Sequence, residues 1–308
     1  MKVSTATMMS DFTAGFLTGA AANLVSHLDA ERARSFEAVF MRSVVEEILT
    51  QEAIPSERER ICLFATGRTS TNTDRNDRHV MSISAAHSVM MEATNPLSPE
   101  CLLTVAQKLA TPFYKKDSDG RLSAAADMAI DDLLADLGRR LSGAAEYQDI
   151  FATATELSVV AHRGEPFARR LAALVAPYAL ASALGHRTPC ISATQTILSG
   201  DIDGLVPAID QSASRSLDLA RSLDRLMNTL DLRLGQNQQS SAKTRVATRL
   251  FIRYPIMPTT FLGTYLEISK AGLKYVVDQL IDKGVVEIFG HATKINRVFV
   301  CRESLQCD

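Results

Sequence analysis

Apolar residues recur at intervals of three and four over most of the first 235 residues, the spacing that places them on one side of an α-helix. In the segment EAVFMRSVVEEILTQE, for example, Val39, Val44 and Ile48 fall on one stripe. Alternation with period two, which marks a half-buried strand, is nearly absent from this region. The pattern therefore predicts a mainly α N-terminal region.

Turn-forming residues separate these predicted helices. The stretch TGRTSTNTDRNDRH, residues 66–79, contains no apolar side chain and predicts a long polar loop or a disordered segment. The stretch TNPLSPE predicts the start of a helix near Pro99. The last helix of the region is expected to run from about Asp210 to Leu234, with leucines at heptad-like spacing. This pattern is compatible with a core helix, with a dimer interface, or with a helix that transmits movement to the following segment.

A polar segment rich in amides, LGQNQQSSAK at residues 234–243, predicts a hinge. The pattern changes after it. The run KTRVATRLFIRY predicts an amphipathic helix that ends before Pro255, and TFLGTYLE predicts a second, shorter helix with Thr259 or Thr260 as its cap.

A third helix is expected to begin at Ser269, a residue type whose hydroxyl accepts a hydrogen bond from a free amide of the first turn. Ile268 and Leu273 have the spacing of a hydrophobic staple across that start, and Gly284 provides the left-handed residue that ends such a helix. The apolar stripe of this helix comprises Leu273, Val276, Val277, Leu280 and Ile281.

Two short β runs, VVEIFG and NRVFVCR, follow the third helix and predict a hairpin. The tip of this hairpin carries His291, Lys294 and Arg297. The predicted elements follow the order of a winged helix-turn-helix: helix, helix, turn, helix and two-stranded ribbon. In that fold the third helix enters the major groove of DNA, and the basic hairpin contacts the DNA backbone.

The charge of the chain is divided unevenly between its two parts. The whole chain has 33 Lys and Arg against 35 Asp and Glu, a net charge of −2. From Ser241 onward ten basic residues face six acidic ones, which leaves 23 against 29 for the first 240 residues. An acidic body with a basic C-terminal segment points to a polyanionic partner for that segment.

The segment RYPIMPTTFLGTYLEISKAGLKYVVDQLIDKGVVEIFGHATKINRVFV resembles the winged-helix tail of many Fic-type proteins and of related bacterial helix-turn-helix regulators. The resemblance covers about 65 residues, a fifth of the chain, and implies DNA binding by the third helix and the hairpin. The matching residues are Pro258, Thr259, Leu262, Ile268, Ser269, Ala271, Leu280, Gly284, Asn296, Arg297 and Phe299.

The catalytic motif of Fic transferases is not found in the sequence. Those enzymes use a His-Pro-Phe-x-Asp/Glu-Gly-Asn-Gly-Arg run, whereas this chain contains no Gly-Asn-Gly. The nearest stretch, AHRGEPFARRLAALV, has several of the same residue types in a different order. It predicts a loop followed by a buried helix, and no catalytic residue is carried over.

Other chemical motifs are also missing from the sequence. It contains no Walker loop, GxGxxG, GxSxG or HExxH motif, and its five cysteines include no CxxC pair. The cysteines are expected to be reduced, buried or incidental thiols, and no metal or cofactor is expected. The longest apolar run is too short for a membrane span, and no signal peptide is recognised, so a cytoplasmic location is expected.

The expected organisation is mainly α: a helical domain at 1–235, a linker at 236–243, and a winged helix-turn-helix domain with a small β-hairpin at 244–308. The expected function is that of a non-catalytic DNA-binding transcriptional regulator, which acts as a homodimer on double-stranded DNA. Two alternatives stay open, a divergent Fic-like nucleotidyl transferase and a protein-interaction module. The predicted DNA contacts are Ser269, Lys270, Ala271, Lys274, Tyr275, His291, Lys294, Asn296 and Arg297.

Overall fold

The computed structural model describes residues 5–67, 75–115, 119, 121–145, 149–235, 241–289 and 297–307. Over these ranges the chain is mainly α with one small antiparallel sheet, as the sequence predicted. The helices are α1 (Thr5–Ser26), α2 (Ala30–Gln51), α3 (Arg58–Ala65), α4 (Arg75–Glu92), α5 (Pro99–Ala110), α6 (Ala124–Ala145), α7 (Ile150–Ala161), α8 (Ala168–Ala183), α9 (Thr194–Ser199), α10 (Leu205–Gly235), α11 (Ala242–Arg253), α12 (Thr259–Leu266), α13 (Lys270–Asp282) and α14 (Arg302–Leu305). The strands are β1 (Ile256–Pro258), β2 (Glu287–Ile288) and β3 (Val298–Val300).

Two helices form the centre of the helical body, which comprises α1 to α10. Helix α8 is rich in alanine and is buried from Leu171 to Leu180. Helix α2 is also buried over most of its circumference, including Phe36, Met41 and Leu49 beyond the single stripe that its periodicity indicated. Small side chains on α8 allow its neighbours to approach closely on all sides. No described helix is both long and apolar enough to cross a lipid bilayer.

The longest helix, α10, lies along α1 on the outside of the body. It begins at Leu205, five residues before the predicted start, because Pro207 falls in its first turn, where a proline costs no hydrogen bond. Its buried face includes the predicted leucines Leu219, Leu223 and Leu230. The predicted helix is therefore confirmed and extended at its N-terminal end.

The polar loop predicted at residues 66–79 is wrong over its last five residues, where α4 has already begun. Two of the polar residues there, Asp77 and His79, are buried and bind to other elements. Asp77 is 2% exposed and forms an ion pair with Arg60 of α3, while His79 Nδ1 accepts a hydrogen bond of 3.0 Å from Arg170 of α8. Residues 68–74 lie outside the described part of the chain.

The small sheet has the strand order β1-β3-β2, and both pairs are antiparallel. The predicted hairpin is confirmed as the β2–β3 pair, in which Glu287 faces Val300. Strand β1, which places Met257 opposite Phe299, was not predicted. It is only three residues long and has a proline immediately before it and at its last position, so its sequence gives no strand signal.

The C-terminal module, which comprises α11 to α14 and the sheet, packs directly against the helical body. Helix α11 lies on α2, and its residues Leu250 and Phe251 belong to the same apolar cluster as the core of the body. A second cluster joins Cys62 of α3 to Ile256, Val298, Val300 and Leu305 of the module. The apolar core is therefore continuous across the predicted hinge.

Two arginines of the body bind the C-terminal turn of the chain. Arg42 of α2, which is 4% exposed, donates from Nη2 to the carbonyl oxygens of Ser304 (3.0 Å) and Cys307 (3.2 Å). Arg58 of α3 donates to the carbonyl oxygen of Leu305 at 3.1 Å. These carbonyls lie at the end of α14, where backbone acceptors lack helical partners and cations are favoured. The two arginines thus fix the C-terminal segment on the body.

Replacing Arg42 by Met tests this attachment, because methionine retains the apolar stem and removes the donors. The carbonyls of Ser304 and Cys307 would be left without this charged donor, so the free energy of unfolding should fall by about 2 kcal/mol or more. Urea unfolding followed by circular dichroism measures it. The control is Arg34→Met on the exposed side of α2, which should change stability by less than about 0.5 kcal/mol. Equal destabilisation by both variants would contradict the attachment.

His87 of α4 makes the stability of the body dependent on pH. Burial lowers the pKa of His87 from 6.5 to about 4, and the positive charge of Arg42 acts in the same direction. The stabilisation from the neutral ring is complete above pH 6.5 and is lost as the pH falls towards 4, because the unfolded chain then binds a proton that the folded chain does not.

Between pH 7 and pH 5 the wild-type chain should therefore lose about 2 kcal/mol more unfolding free energy than the variant His87→Leu. Urea unfolding at the two pH values measures the difference. The exposed His27 is the control position, and His27→Gln should keep the wild-type pH dependence. If His87→Leu and wild type lose stability in parallel, His87 is not the titrating group.

Candidate nucleic-acid interface

The start of α13 is fixed by its cap and by the turn before it. Ser269 has extended backbone angles, and its Oγ accepts a hydrogen bond of 3.2 Å from the amide of Gly272. Glu267 adopts a left-handed conformation, with φ of 51°, between α12 and α13. Ile268 packs against the same apolar core as Leu273. The predicted N-cap is confirmed, and the direction of α13 follows from it.

Helix α13 has one buried and one exposed face, as the sequence predicted. Leu273, Val276, Val277 and Leu280 are buried, and Ile281 is partly buried against the same core. The exposed face carries Lys270, Ala271, Lys274, Tyr275 and Asp278. Because successive positions along this face are three or four residues apart, they form a continuous surface along the helix.

Helices α12 and α13 approach each other closely at Gly263. A Cβ atom at this position would lie 3.0 Å from Cδ2 of Leu273, closer than such atoms normally come. Glycine at 263 therefore allows the two helices to make their contact without displacing the buried stripe of α13. This role could not be predicted from the residue order, because a glycine within a short helix indicates only a weak helix former.

Tyr275 is held in place by a hydrogen-bonded chain that reaches α11. Gln279 Nε2 donates to the Tyr275 hydroxyl at 2.8 Å, and Thr244 Oγ1 donates to Gln279 Oε1 at 2.6 Å. The tyrosine is nevertheless 54% exposed, so its ring is available at the surface. Only the spacing of four residues between Tyr275 and Gln279 hinted at the first of these bonds.

A lysine of α11 also orients the helix pair. Lys243 Nζ donates to the carbonyl oxygen of Leu266, the last residue of α12, at 2.7 Å. A cation at a helix C-terminus compensates the partial negative charge of the unpaired carbonyls there. Lys243 therefore contributes to the internal structure of the module.

Arg297 is exposed and lies immediately before β3. Its carbonyl oxygen accepts hydrogen bonds from the amide of Thr259 (2.9 Å) and from Thr259 Oγ1 (2.8 Å), so its backbone is tied to the first residue of α12. Six of the nine predicted contact residues are thus described, five on or next to α13 and one beside β3. The other three, His291, Lys294 and Asn296, lie outside the described residues.

Several cations of the C-terminal module are engaged in holding the structure together. Arg249 of α11 forms ion pairs with Asp231 of α10 and with Glu31 of α2, the latter at 3.4 Å. Arg302 pairs with Glu287 of β2 at 2.6 Å. The excess of basic residues after Ser241 therefore has a partly structural origin, since Arg249 neutralises acidic residues of the body.

Lys270, Lys274 and Arg297 differ from those structural cations. Within the described part of the chain, no ion pair or hydrogen bond involves their side chains. The exposed face of α13 is also polarised along its axis, since both lysines lie in the first half and Asp278 and Asp282 lie in the second. The N-terminal half adds its positive dipole end to the lysine charges, so this half is the one suited to an anionic partner.

The residues that partly resemble a Fic motif occupy a loop and the start of α8, as predicted. His162 Nδ1 lies 2.8 Å from the carbonyl oxygen of Ser158, and the helix that follows is buried. All five cysteines are buried and unbridged, which confirms that expectation. Among the described residues, no three His, Cys, Asp or Glu side chains are grouped as metal ligands would be.

Substitutions of Ser269 test the cap that orients α13. Ser269→Ala removes the bond to the Gly272 amide and should lower the free energy of unfolding by about 1 kcal/mol. Ser269→Asp retains an acceptor at the cap and should stay within a few tenths of a kcal/mol of wild type. Urea unfolding distinguishes them, and equal stabilities of the two variants would show that the cap makes no contribution.

No family model matches the chain, and no curated protein matches it. The function is therefore inferred from the geometry of the α13 surface and of the elements that hold it.

Proposed function

We propose that the chain is a DNA-binding regulator that inserts the N-terminal half of α13 into the major groove of double-stranded DNA. The order of elements in the C-terminal module supports this proposal. The module runs in the order helix, strand, two helices joined by a tight turn, and two antiparallel strands. A winged helix-turn-helix has this order of elements, and the sheet order β1-β3-β2 is compatible with it.

The observation that carries the proposal is the two-sided nature of α13. Its apolar stripe attaches it to the module, and its other side is exposed with Lys270 and Lys274 at the N-terminal half. A helix with side chains is about 10–12 Å across, and the major groove is about 12 Å wide. The exposed surface therefore has both the dimensions and the charge that the groove requires.

Distinct roles follow for the residues of this surface. Lys270 and Lys274 are placed to contact phosphate groups, as is Arg297 beside the hairpin. Ala271 is small enough for close approach to base edges and to thymine methyl groups. Tyr275 is oriented before binding by Gln279, so less side-chain entropy is lost when it meets the DNA.

The module offers few cations, so a single copy would bind weakly and with strong dependence on salt. A homodimer formed through the helical body would double the contact area and read two half-sites. Because the module is packed against the body by α11, Arg42 and Arg58, a dimer of bodies would hold both α13 helices at a set distance. A regulatory signal would act by changing the distance between the two α13 helices of the dimer.

Combined replacement of Lys270, Lys274 and Arg297 by Ala tests the proposal. In a mobility-shift assay on sheared genomic DNA of the source organism, the triple variant should lose binding while its circular dichroism spectrum stays unchanged. For the residual binding measured at low salt, the slope of log affinity against log salt should be shallower by about 2 to 3 than for wild type, since each phosphate contact contributes about 0.9.

The matched control replaces Arg187, Arg221 and Arg225 by Ala, three exposed residues of the body. The change in net charge is the same, so any general electrostatic effect appears in both variants. The control should bind like wild type. Equal loss in both variants, or full binding by the first, would overturn the assignment of α13 as the DNA-contacting helix.

A further inference from the structure

The helical body contains an open pocket between the C-terminal end of α2 and the N-terminal ends of α4 and α8. Its volume is about 630 Å³, within the range of sites for small organic ligands. Glu52 and Ala53 line it from the α2 side, Arg75 and His79 from α4, and Arg169 from α8. This α4–α8 pocket lies in the body and is formed by none of the elements of the C-terminal module.

The charges in the α4–α8 pocket are unbalanced. Four arginines and two glutamates line it. Glu52 pairs with Arg170, and Glu165 lies 3.5 Å from Arg163, which also pairs with Asp136 at 3.0 Å. Glu52 is therefore hydrogen-bonded by Arg170, whereas Glu165 is within ion-pair range of Arg163 and its buried Oε2 accepts no hydrogen bond from the described residues.

Arg75 and Arg169 remain as the excess positive charge of the pocket. Both are exposed, and within the described part of the chain neither side chain forms an ion pair or a hydrogen bond. Two guanidinium groups without acidic partners on one concave surface present ten N–H donors and a charge of about +2 to a bound molecule.

The backbone at the starts of α4 and α8 adds positive potential, which the C-terminal end of α2 offsets in part. Arg75 and Arg169 lie in the first turns of α4 and α8, and no side chain caps the start of α8. Helix N-termini carry partial positive charge and unpaired amides, so cations are disfavoured there and anions are favoured. Arginines in both positions oppose helix stability when the pocket is empty, and a bound anion would reverse this effect.

The floor of the pocket is preorganised. Arg170 is buried, stacks over the ring of Phe113 at 4.8 Å and donates from Nη1 to His79 Nδ1 at 3.0 Å. Because a guanidinium only donates, Nδ1 is the acceptor and the ring proton of His79 is on Nε2. Burial and the charge of Arg170 lower the pKa of His79, so the ring is neutral near pH 7.

We propose that the α4–α8 pocket binds a phosphate-bearing small molecule, with Arg75 and Arg169 holding the phosphate. A phosphate dianion matches the two unpaired guanidinium charges, and its oxygens accept the bidentate hydrogen bonds that arginine offers. Phe113, which is 37% exposed, provides an apolar surface for the uncharged part of the ligand. This inference is independent of the role proposed for α13.

Calorimetric titration of the full chain with phenyl phosphate at pH 8 tests the pocket. The wild-type chain should bind it, and the variant Arg75→Gln/Arg169→Gln should bind at least about tenfold more weakly, because a charged hydrogen-bond partner is lost at each position. The single variant Arg187→Gln, at an exposed position outside the pocket, should retain wild-type affinity.

Phenyl sulfate, which carries one negative charge on a similar shape, should bind several-fold more weakly than phenyl phosphate. Unchanged far-ultraviolet circular dichroism and an unchanged urea midpoint would show that the double variant is folded. No heat of binding in the wild-type chain, equal affinities of wild type and double variant, or equal affinities for the two ligands would each overturn the proposal. DNA binding is not part of this readout, so failure here leaves the role of α13 untouched.

Discussion

Burial of α11 against α2 determines where the C-terminal elements lie. Leu250 and Phe251 extend the apolar core of the body into the module, and the buried guanidinium of Arg42 binds the end of the chain across the same boundary. Since apolar burial and a charged hydrogen bond in the interior act together there, the module cannot move away without exposing core surface and leaving polar groups unpaired. The orientation of α13 relative to the body depends on this contact.

The ion pairs between the module and the body change how the basic excess of the C-terminal segment is interpreted. Part of the positive excess of the module neutralises acidic groups of the body, as Arg249 does with Asp231 and Glu31. What distinguishes Lys270, Lys274 and Arg297 is their exposure at positions where the described structure provides no partner. Net charge counts both kinds of cation equally, whereas only the second kind supports a nucleic-acid interface.

The α4–α8 pocket and the α13 surface lie on different parts of one continuous core. The pocket is built at the end of α2, and the same helix contacts α11 and carries Arg42. Both proposed sites are therefore supported by the packing of one helix.

The sequence by itself determined the local features: helices from periodicity, the Ser269 cap, the two faces of α13 and the β2–β3 hairpin. These follow from interactions between residues close together in the chain, which the residue order displays directly. Tertiary structure alone decided the rest, because the partners lie far apart in sequence. Asp77 and His79 have the sequence context of a loop, but in the fold they are buried and bind Arg60 and Arg170. Gly263 has a role only because Leu273 approaches it in the fold. The pocket arises in the same way, from charged residues that only packing brings together.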